Sequence, residues 1–184
     1  MLESLLFGWW FFIPAGFANM APVFANKIPA LKWLGKPIDH GKTFRGKRIF
    51  GDHKTYRGFI VGVTTGILVA LLQYWVISEL GWPNIELPIK LEAKRYAIIG
   101  ALLGFGALFG DAVKSFFKRQ FNIPSGQTWA PFDQIDYVIG GLAFYSLIDT
   151  LSIEQYLSVA FVWVVLHPIA TFIGWLLKLK DSPL

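Results

Sequence analysis

Two short segments of the chain carry acidic and basic side chains at helical spacing. In the first, polar residues recur every three or four positions and so share one helix face: Asp111, Lys114, Ser115, Lys118 and Arg119. In the second, Asp133 and Asp136 are three positions apart and can face the same way. Paired carboxylates can hold Mg²⁺, a hard cation that also binds waters and phosphate oxygens. Because the neighbouring cations could bind phosphate, the pattern indicates phosphoryl or nucleotidyl transfer.

The same residues allow two other interpretations. The aspartates could form structural ion pairs with Lys114, Lys118 or Arg119 that only hold helices together. Asp111 could instead line the ion or proton path of a small transporter, but that function predicts acids near the membrane midplane and on both sides of it. The aspartates cluster toward one face, beside lysines that would repel cations.

The composition places these residues in a membrane protein. Of the 184 residues, 54% are hydrophobic and only 16% are charged, against roughly 25% charged in an ordinary soluble domain. We therefore expect an all-α fold, a polytopic membrane helical bundle formed by residues 1–184 as one domain. The absence of cysteine excludes disulfides, thiolate metal sites and cysteine nucleophiles.

Five apolar segments predict about five transmembrane helices, at residues 5–25, 58–77, 96–117, 137–148 and 156–177. Pro14 and Pro22 are expected to kink or break the first. Basic residues concentrate in loop 27–57, after the third segment, and in the tail at Lys178 and Lys180. Because cytoplasmic loops are rich in Lys and Arg, we expect the N-terminus outside, the C-terminus in the cytoplasm, and loops 27–57 and 118–136 on the cytoplasmic side.

The loop at residues 35–58 interleaves glycines with lysines and arginines. Glycine lets backbone N–H groups approach an anion closely, so this loop could hold phosphate. It is not a P-loop, since Lys54 stands two residues too late after Gly51. A simpler alternative is a basic loop that fixes orientation or touches anionic head groups. His40 and His53, in this loop, are not expected to bind metal, and His167, in the fifth span, is expected to be a hydrogen-bonded packing residue.

The segments "GDAVKSFFKR" and "FDQID" resemble the cytidylyltransferase signature of CDP-diacylglycerol synthases, and "DHKTYRG" resembles that family's KT-x-x-G segment. The resemblance is closer to the archaeal branch, the CDP-archaeol synthases, through "ANMAP", "PIDHGKTFRGKRIFGDHKTYRG" and "DQID". It covers nearly the whole chain. Two elements depart from the bacterial-type signature: "IPSGQTWAPF" replaces its KD and HGG elements, and its D-R-x-D becomes Asp133-Gln134-Ile135-Asp136.

The resemblance implies an enzyme of the cell membrane, with its active site facing the cytoplasm. It would transfer CMP from CTP to 2,3-di-O-geranylgeranylglyceryl phosphate, giving CDP-archaeol and pyrophosphate. Asp111, Asp133 and Asp136 would hold one or two Mg²⁺ ions. The triphosphate or lipid phosphate would be bound by the remaining candidates, which are Lys54, Thr55, Arg57, Lys114, Ser115, Lys118 and Arg119, with Asn19 as a further polar residue of the cavity.

The expected partners are CTP, the lipid phosphate and membrane lipids, with no nucleic acid; the oligomeric state stays open. A CDP-diacylglycerol-type synthase with an ester lipid substrate is the alternative within the same chemistry. A CDP-alcohol phosphotransferase is not supported, because its DG…AR…G…D…D motif is absent. A non-catalytic scaffold would leave the buried acids unexplained.

Overall fold

The structure is a computed structural model that describes residues 1–83, 85, 87, 89–124 and 127–176. Within these residues lie five α-helices, which are α1 (Leu2–Ala25), α2 (Tyr56–Leu80), α3 (Ala93–Gln120), α4 (Phe132–Tyr145) and α5 (Ile153–Leu176). Between α1 and α2 the chain forms a 3₁₀ helix (Pro29–Leu34) and an antiparallel hairpin of two short strands, β1 (Thr43–Phe44) and β2 (Lys47–Arg48). The expected polytopic helical bundle is confirmed.

Four of these helices, α1, α2, α3 and α5, are long and apolar enough to cross a membrane. The 14 residues of α4 cover about 21 Å at 1.5 Å per residue, less than the roughly 30 Å of a hydrocarbon core. The number of spans and the sides on which the termini lie therefore stay predictions. Lys178, Lys180 and the end of the fifth predicted span lie outside the described residues, as do Ser125 and Gly126.

The helix ends differ from the predicted spans chiefly in α4, which begins at Phe132 and not at residue 137. Asp133 and Asp136, which we assigned to loop 118–136, thus lie in the first turns of a helix. The Asp133 carboxylate accepts a hydrogen bond from the Trp129 N–H, and a negative charge is favourable at a helix N-terminus. Hydropathy locates only the apolar part of such a helix and therefore misses its polar first turns.

In the bundle, α3 packs against α1, α2 and α4, while α5 packs against α1 and α4. The core contains large side chains from α1, α3, α4 and α5, among them Phe12, Leu103, Tyr145 and Val159. Where α2 crosses α3, a Cβ added to Gly100 would lie 2.4 Å from the Gly66 carbonyl oxygen. Only glycine permits that backbone approach, as is common at helix crossings within membranes.

Neither proline ends α1, which continues through Pro14 and Pro22. Pro14 has no N–H, so the carbonyl of Trp10, four residues earlier, loses its helical donor. The side chain of Gln73 on α2 replaces that donor, with Nε2 at 2.6 Å from the Trp10 oxygen. Gln73 is buried, and an unpaired carbonyl at this depth would be costly. The one buried amide of α2 thus compensates for a proline in α1.

We predict that Gln73→Leu lowers the stability of the protein by about 1–3 kcal/mol, the cost of an unpaired buried polar group. The measurement is the thermal melting temperature of the purified protein in detergent. In a Pro14→Ala background the restored N–H at position 14 can bond to Trp10, so Gln73→Leu should then cost much less. An equal loss in the two backgrounds would contradict this pairing.

Candidate active site

A cavity of about 560 Å³ lies among α1, α3, α4, α5 and the beginning of α2. Eight of the eleven residues proposed from the sequence are among those that line it, namely Asn19, Lys54, Thr55, Asp111, Lys114, Lys118, Asp133 and Asp136. Segments far apart in the chain thus bring acidic, basic and amide side chains into one space. A cavity of this size is sufficient for a small-molecule ligand.

The cavity contains three carboxylates gathered around one ammonium group. The Nζ atom of Lys114 lies 3.0 Å from Asp111 Oδ1, 2.7 Å from Asp133 Oδ1 and 2.7 Å from Asp136 Oδ2. Asp111 and Lys114 are one helical turn apart on α3, whereas Asp133 and Asp136 come from α4. The interpretation of these residues as ion pairs therefore describes real contacts, although such contacts do not exclude a catalytic role.

The approach of α4 to α3 depends on Gly110, which immediately precedes Asp111. A Cβ added to Gly110 would lie 2.2 Å from the backbone oxygen of Asp136, so any larger residue would push α4 away. The glycine and aspartate of the "GD" pair therefore have distinct roles. Gly110 allows α4 to come close, and Asp111 contributes its carboxylate to the cluster that forms there.

Two further lysines complete the cluster. Lys54, from the loop before α2, forms an ion pair with Asp111. Lys118, one turn beyond Lys114, lies 3.5 Å from Asp133 Oδ1 and donates a hydrogen bond to the Gln127 carbonyl. The formal charges of the three acids and three lysines thus sum to zero. Removing one member would leave an uncompensated, partly buried charge, which is strongly destabilising.

The loop that carries Lys54 is organised by Asp39. Its buried carboxylate accepts hydrogen bonds from the N–H groups of Gly41, Phe50 and Gly51, each at 3.0 Å, and pairs with Arg48 at 2.9 Å. Gly41 and Gly51 have positive φ angles of 77° and 96°, which glycine adopts without strain. The Gly41 and Gly51 N–H groups therefore bind a carboxylate of their own loop, and phosphate binding by this loop stays a prediction.

Two backbone hydrogen bonds beside Asp39 hold the two ends of this loop together. The N–H of Ile38 donates to the Lys54 carbonyl at 2.8 Å, and the N–H of Tyr56 donates to the Lys36 carbonyl at 3.2 Å. These bonds join the beginning of the loop to its end, next to Lys54. Sequence reasoning missed Asp39, although Asp39-His40-Gly41 has the Asp-x-Gly spacing typical of an aspartate that bonds to its own backbone two residues on.

Three proposed phosphate ligands are not among the described residues that line the cavity. Ser115 donates its hydroxyl hydrogen to the Asp111 carbonyl at 2.8 Å, and the Arg57 guanidinium donates to the Asn26 side chain. Arg119 lies beside Gly51, outside the cluster. Thr55 does line the cavity, but its oxygen caps α2 by accepting from the Gly58 N–H at 3.2 Å. The roles of these residues toward phosphate stay predictions.

The structure also adds residues that were not proposed for the site from the sequence. Gln127, Thr128 and Gln134 line the cavity from the segment before α4 and from α4 itself, and His53 lies beside Lys54. His167 and Thr171 reach it from α5. His167 and Thr171 reach the cavity only because α5 packs against α1 and α4, and no spacing pattern in the sequence connects them with the acids.

The carboxylates of Asp111, Asp133 and Asp136 are oxygen ligands of the kind that Mg²⁺ prefers. Within the described ranges, no three acidic or histidine side chains are arranged to hold a metal by themselves. Mg²⁺, however, is usually held by one or two carboxylates together with waters and substrate phosphates. Asp136 Oδ2 is buried and, in the described part of the chain, has the Lys114 ion contact but no aligned hydrogen bond. It therefore retains acceptor capacity for a cation.

We predict that Asp39→Asn destabilises the loop and that Asp52→Asn, a change at an exposed partner of the same Arg48, does so far less. The pKa of Asp39 is raised by burial but lowered more by Arg48 and by the Gly51, Phe50 and Gly41 N–H groups, so it lies well below its usual range. The stabilisation is therefore present in full above pH about 4 and is lost as the pH falls toward the folded pKa.

The measurement is limited proteolysis between residues 36 and 54, with melting temperatures recorded from pH 7 down to pH 3. Asp39→Asn should be cut several times faster at pH 7 and melt several degrees lower. The difference in melting temperature between Asp39→Asn and the natural protein should become smaller as the pH approaches 3. Equal effects of Asp39→Asn and Asp52→Asn at pH 7 would show that Asp39 does not organise the loop.

Comparison with known proteins gives one consistent family. The family model described as CarS-like, CDP-archaeol synthase, matches residues 1–184. The CDP-archaeol synthase of Thermococcus kodakarensis is 37% identical over 183 residues, covering 99% of this chain and 98% of the relative. That of Pyrobaculum islandicum is 35% identical over 172 residues, covering 92% and 93%. A solved structure of an intramembrane enzyme for archaeal membrane lipids biosynthesis is 27% identical, with a TM-score of 0.69 over 88% of this chain and 90% of that one.

Proposed function

The chain belongs to the CarS-like CDP-archaeol synthase family, and we propose how its cavity carries out the reaction of that family. It is a multi-pass membrane protein and a cytidylyltransferase of archaeal lipid biosynthesis. In the proposed reaction CMP passes from CTP to 2,3-di-O-geranylgeranylglyceryl phosphate, and the products are CDP-archaeol and pyrophosphate. The observation that carries the proposal is the cluster of three carboxylates and three lysines that faces the cavity.

The bonds that change are simple. An oxygen of the lipid phosphate attacks the α-phosphorus of CTP, and a new P–O bond forms between the two phosphates. The P–O bond between the α- and β-phosphates breaks, and its electron pair leaves with pyrophosphate. A phosphate monoester has its second pKa near 6, so the nucleophile is already mostly ionised at pH 7. The reaction therefore needs no strong general base, and catalysis consists of positioning and charge neutralisation.

The charged residues divide this work by type. Lys54, Lys114 and Lys118 can bind the triphosphate and the lipid phosphate and can stabilise the charge that develops on the leaving pyrophosphate. Asp133 and Asp136, together with Asp111, would hold the magnesium. When bound, one or two Mg²⁺ ions would neutralise phosphate oxygens and orient the triphosphate. The lysines would thus contact phosphate directly, and the carboxylates would act on it through the metal.

Of the lysines nearest the carboxylates, Lys114 and Lys118 are on α3 and Lys54 is in the loop before α2. All three would approach the nucleotide from the end of the bundle where the basic loop lies. We propose that this end faces the cytoplasm, where nine of the 17 lysines and arginines, those in residues 27–57, would be favoured. CTP would enter from the aqueous side. The lipid phosphate would keep its chains in the bilayer and present only its head group to the cavity.

The test is pyrophosphate release by the purified protein. Release should require CTP, the archaeal lipid phosphate and Mg²⁺ together, and it should fail with ATP. Asp133→Asn should reduce the rate by about 100-fold or more, the scale of losing one strong electrostatic contact in an active site. Asp52→Asn, an exposed acid outside the cavity, should retain the rate. Release without lipid, or an unchanged rate in Asp133→Asn, would contradict the proposal.

The same assay separates the two lipid alternatives. An ester-linked diacylglycerol phosphate should react much more slowly than the geranylgeranyl ether lipid phosphate if the archaeal substrate is correct. Equal rates would support a CDP-diacylglycerol-type specificity with the same chemistry. No release with either lipid would reject the cytidylyltransferase function as described.

A further inference from the structure

Lys114 occupies a position that a metal ion would also need. Its ammonium group contacts carboxylates from two helices at 2.7–3.0 Å, and its side chain is only 13% exposed. Lys54 and Lys118 contact the cluster from its edges, through Asp111 and Asp133 respectively. Among these lysines of the described chain, only Lys114 lies in contact with all three acids.

An ammonium group and a divalent cation cannot share this position. Mg²⁺ binds oxygen at about 2.0–2.1 Å, whereas the Lys114 contacts are 2.7–3.0 Å, so the carboxylates must also close in around the metal. Two cations at contact distance repel strongly in a partly buried site. A metal that enters must therefore move Lys114 away from the acids, and the displaced ammonium needs another anionic partner.

We propose that Lys114 exchanges its carboxylate partners for the triphosphate when nucleotide and metal bind, so that each ligand increases the affinity of the protein for the other. This inference rests on the proposed function, because it takes CTP and a divalent metal as the ligands of the cavity. Lys114 is then the residue that makes the carboxylates accessible to metal only when a nucleotide is present. It acts as a positioning residue for the metal and as a ligand of the phosphates.

The charge balance of the cluster favours joint binding. Three acids and three lysines are formally neutral together. A dication alone would leave a positive excess in a partly buried site, and a triphosphate alone would leave a negative one. When the metal and the triphosphate bind together, their charges offset each other. The Lys114 ammonium group then contacts phosphate oxygens in place of the carboxylates. Linkage requires that the increase in affinity be the same for both ligands.

The experiment uses Mn²⁺, another hard cation suited to carboxylate and phosphate ligands, and follows the signal of free Mn²⁺ by electron paramagnetic resonance. The full-length protein is titrated in detergent with and without CTP. Lipid phosphate is left out, so that no turnover occurs. The Mn²⁺ bound by CTP in protein-free solution is subtracted. For the natural protein, CTP should tighten Mn²⁺ binding by roughly tenfold or more, within the usual range of coupling between sites.

The decisive variant is Lys114→Met, with Lys114→Gln as a second change that keeps hydrogen-bond donors beside the carboxylates. Both should bind Mn²⁺ more tightly than the natural protein in the absence of CTP, and CTP should then add little. A merely structural role would instead weaken Mn²⁺ binding in both conditions. Lys32→Met, the same change at an exposed lysine that does not line the cavity, is the matched control and should retain the coupling.

The outcomes separate this inference from the proposed function. If the natural protein shows coupling and both Lys114 variants show the same coupling, the exchange of partners is rejected while the metal site stands. If the natural protein binds no Mn²⁺ even with CTP, the metal site itself is rejected, and this inference with it. Melting temperatures of the variants with and without Mn²⁺ provide a second readout, and a larger stabilisation of the variants by metal alone supports the exchange.

Discussion

Charge neutralisation inside a membrane protein is the constraint on which the rest of this structure depends. A carboxylate in an apolar bundle is costly unless a cation or water accompanies it, and here Asp111, Asp133 and Asp136 all contact Lys114. The acids and lysines therefore stabilise each other only if α3, α4 and the loop before α2 meet at one place. Gly110 permits the close approach of α4, and Asp39 holds the loop in shape.

The bundle also has to satisfy its own backbone around this polar centre. Pro14 leaves a carbonyl of α1 without its helical donor, and the Gln73 amide on α2 bonds to it. Glycines at the α2–α3 and α3–α4 crossings bring the helices within backbone contact. The apolar core can therefore be closely packed while charged groups in the cavity change their ion-pair partners, because the two regions lie in different parts of the same helices.

Much of the site could be predicted from the sequence, because helical periodicity puts Asp111, Lys114 and Lys118 on one face whatever the surrounding fold. The pairing of Asp133 with Asp136 followed from the same spacing. What could not be predicted depends on contacts between distant segments. Asp39 binds N–H groups 11 and 12 residues away, and His167 reaches the cavity only through the packing of α5. Ser115 lies on the predicted face, yet its hydroxyl bonds to the backbone of its own helix, a competition that spacing does not reveal.

The central claim is that the carboxylates hold metal while the lysines hold phosphate within one cavity. The most direct test is an experimental structure of the full-length protein with CTP and Mn²⁺, in which the anomalous scattering of manganese locates the metal independently of the protein density. The account predicts a manganese peak beside Asp133 and Asp136, with the triphosphate in contact with the metal and the Lys114 ammonium on phosphate oxygens. A triphosphate bound away from this cluster, or a manganese peak elsewhere while Lys114 stays among the three aspartates, would contradict it.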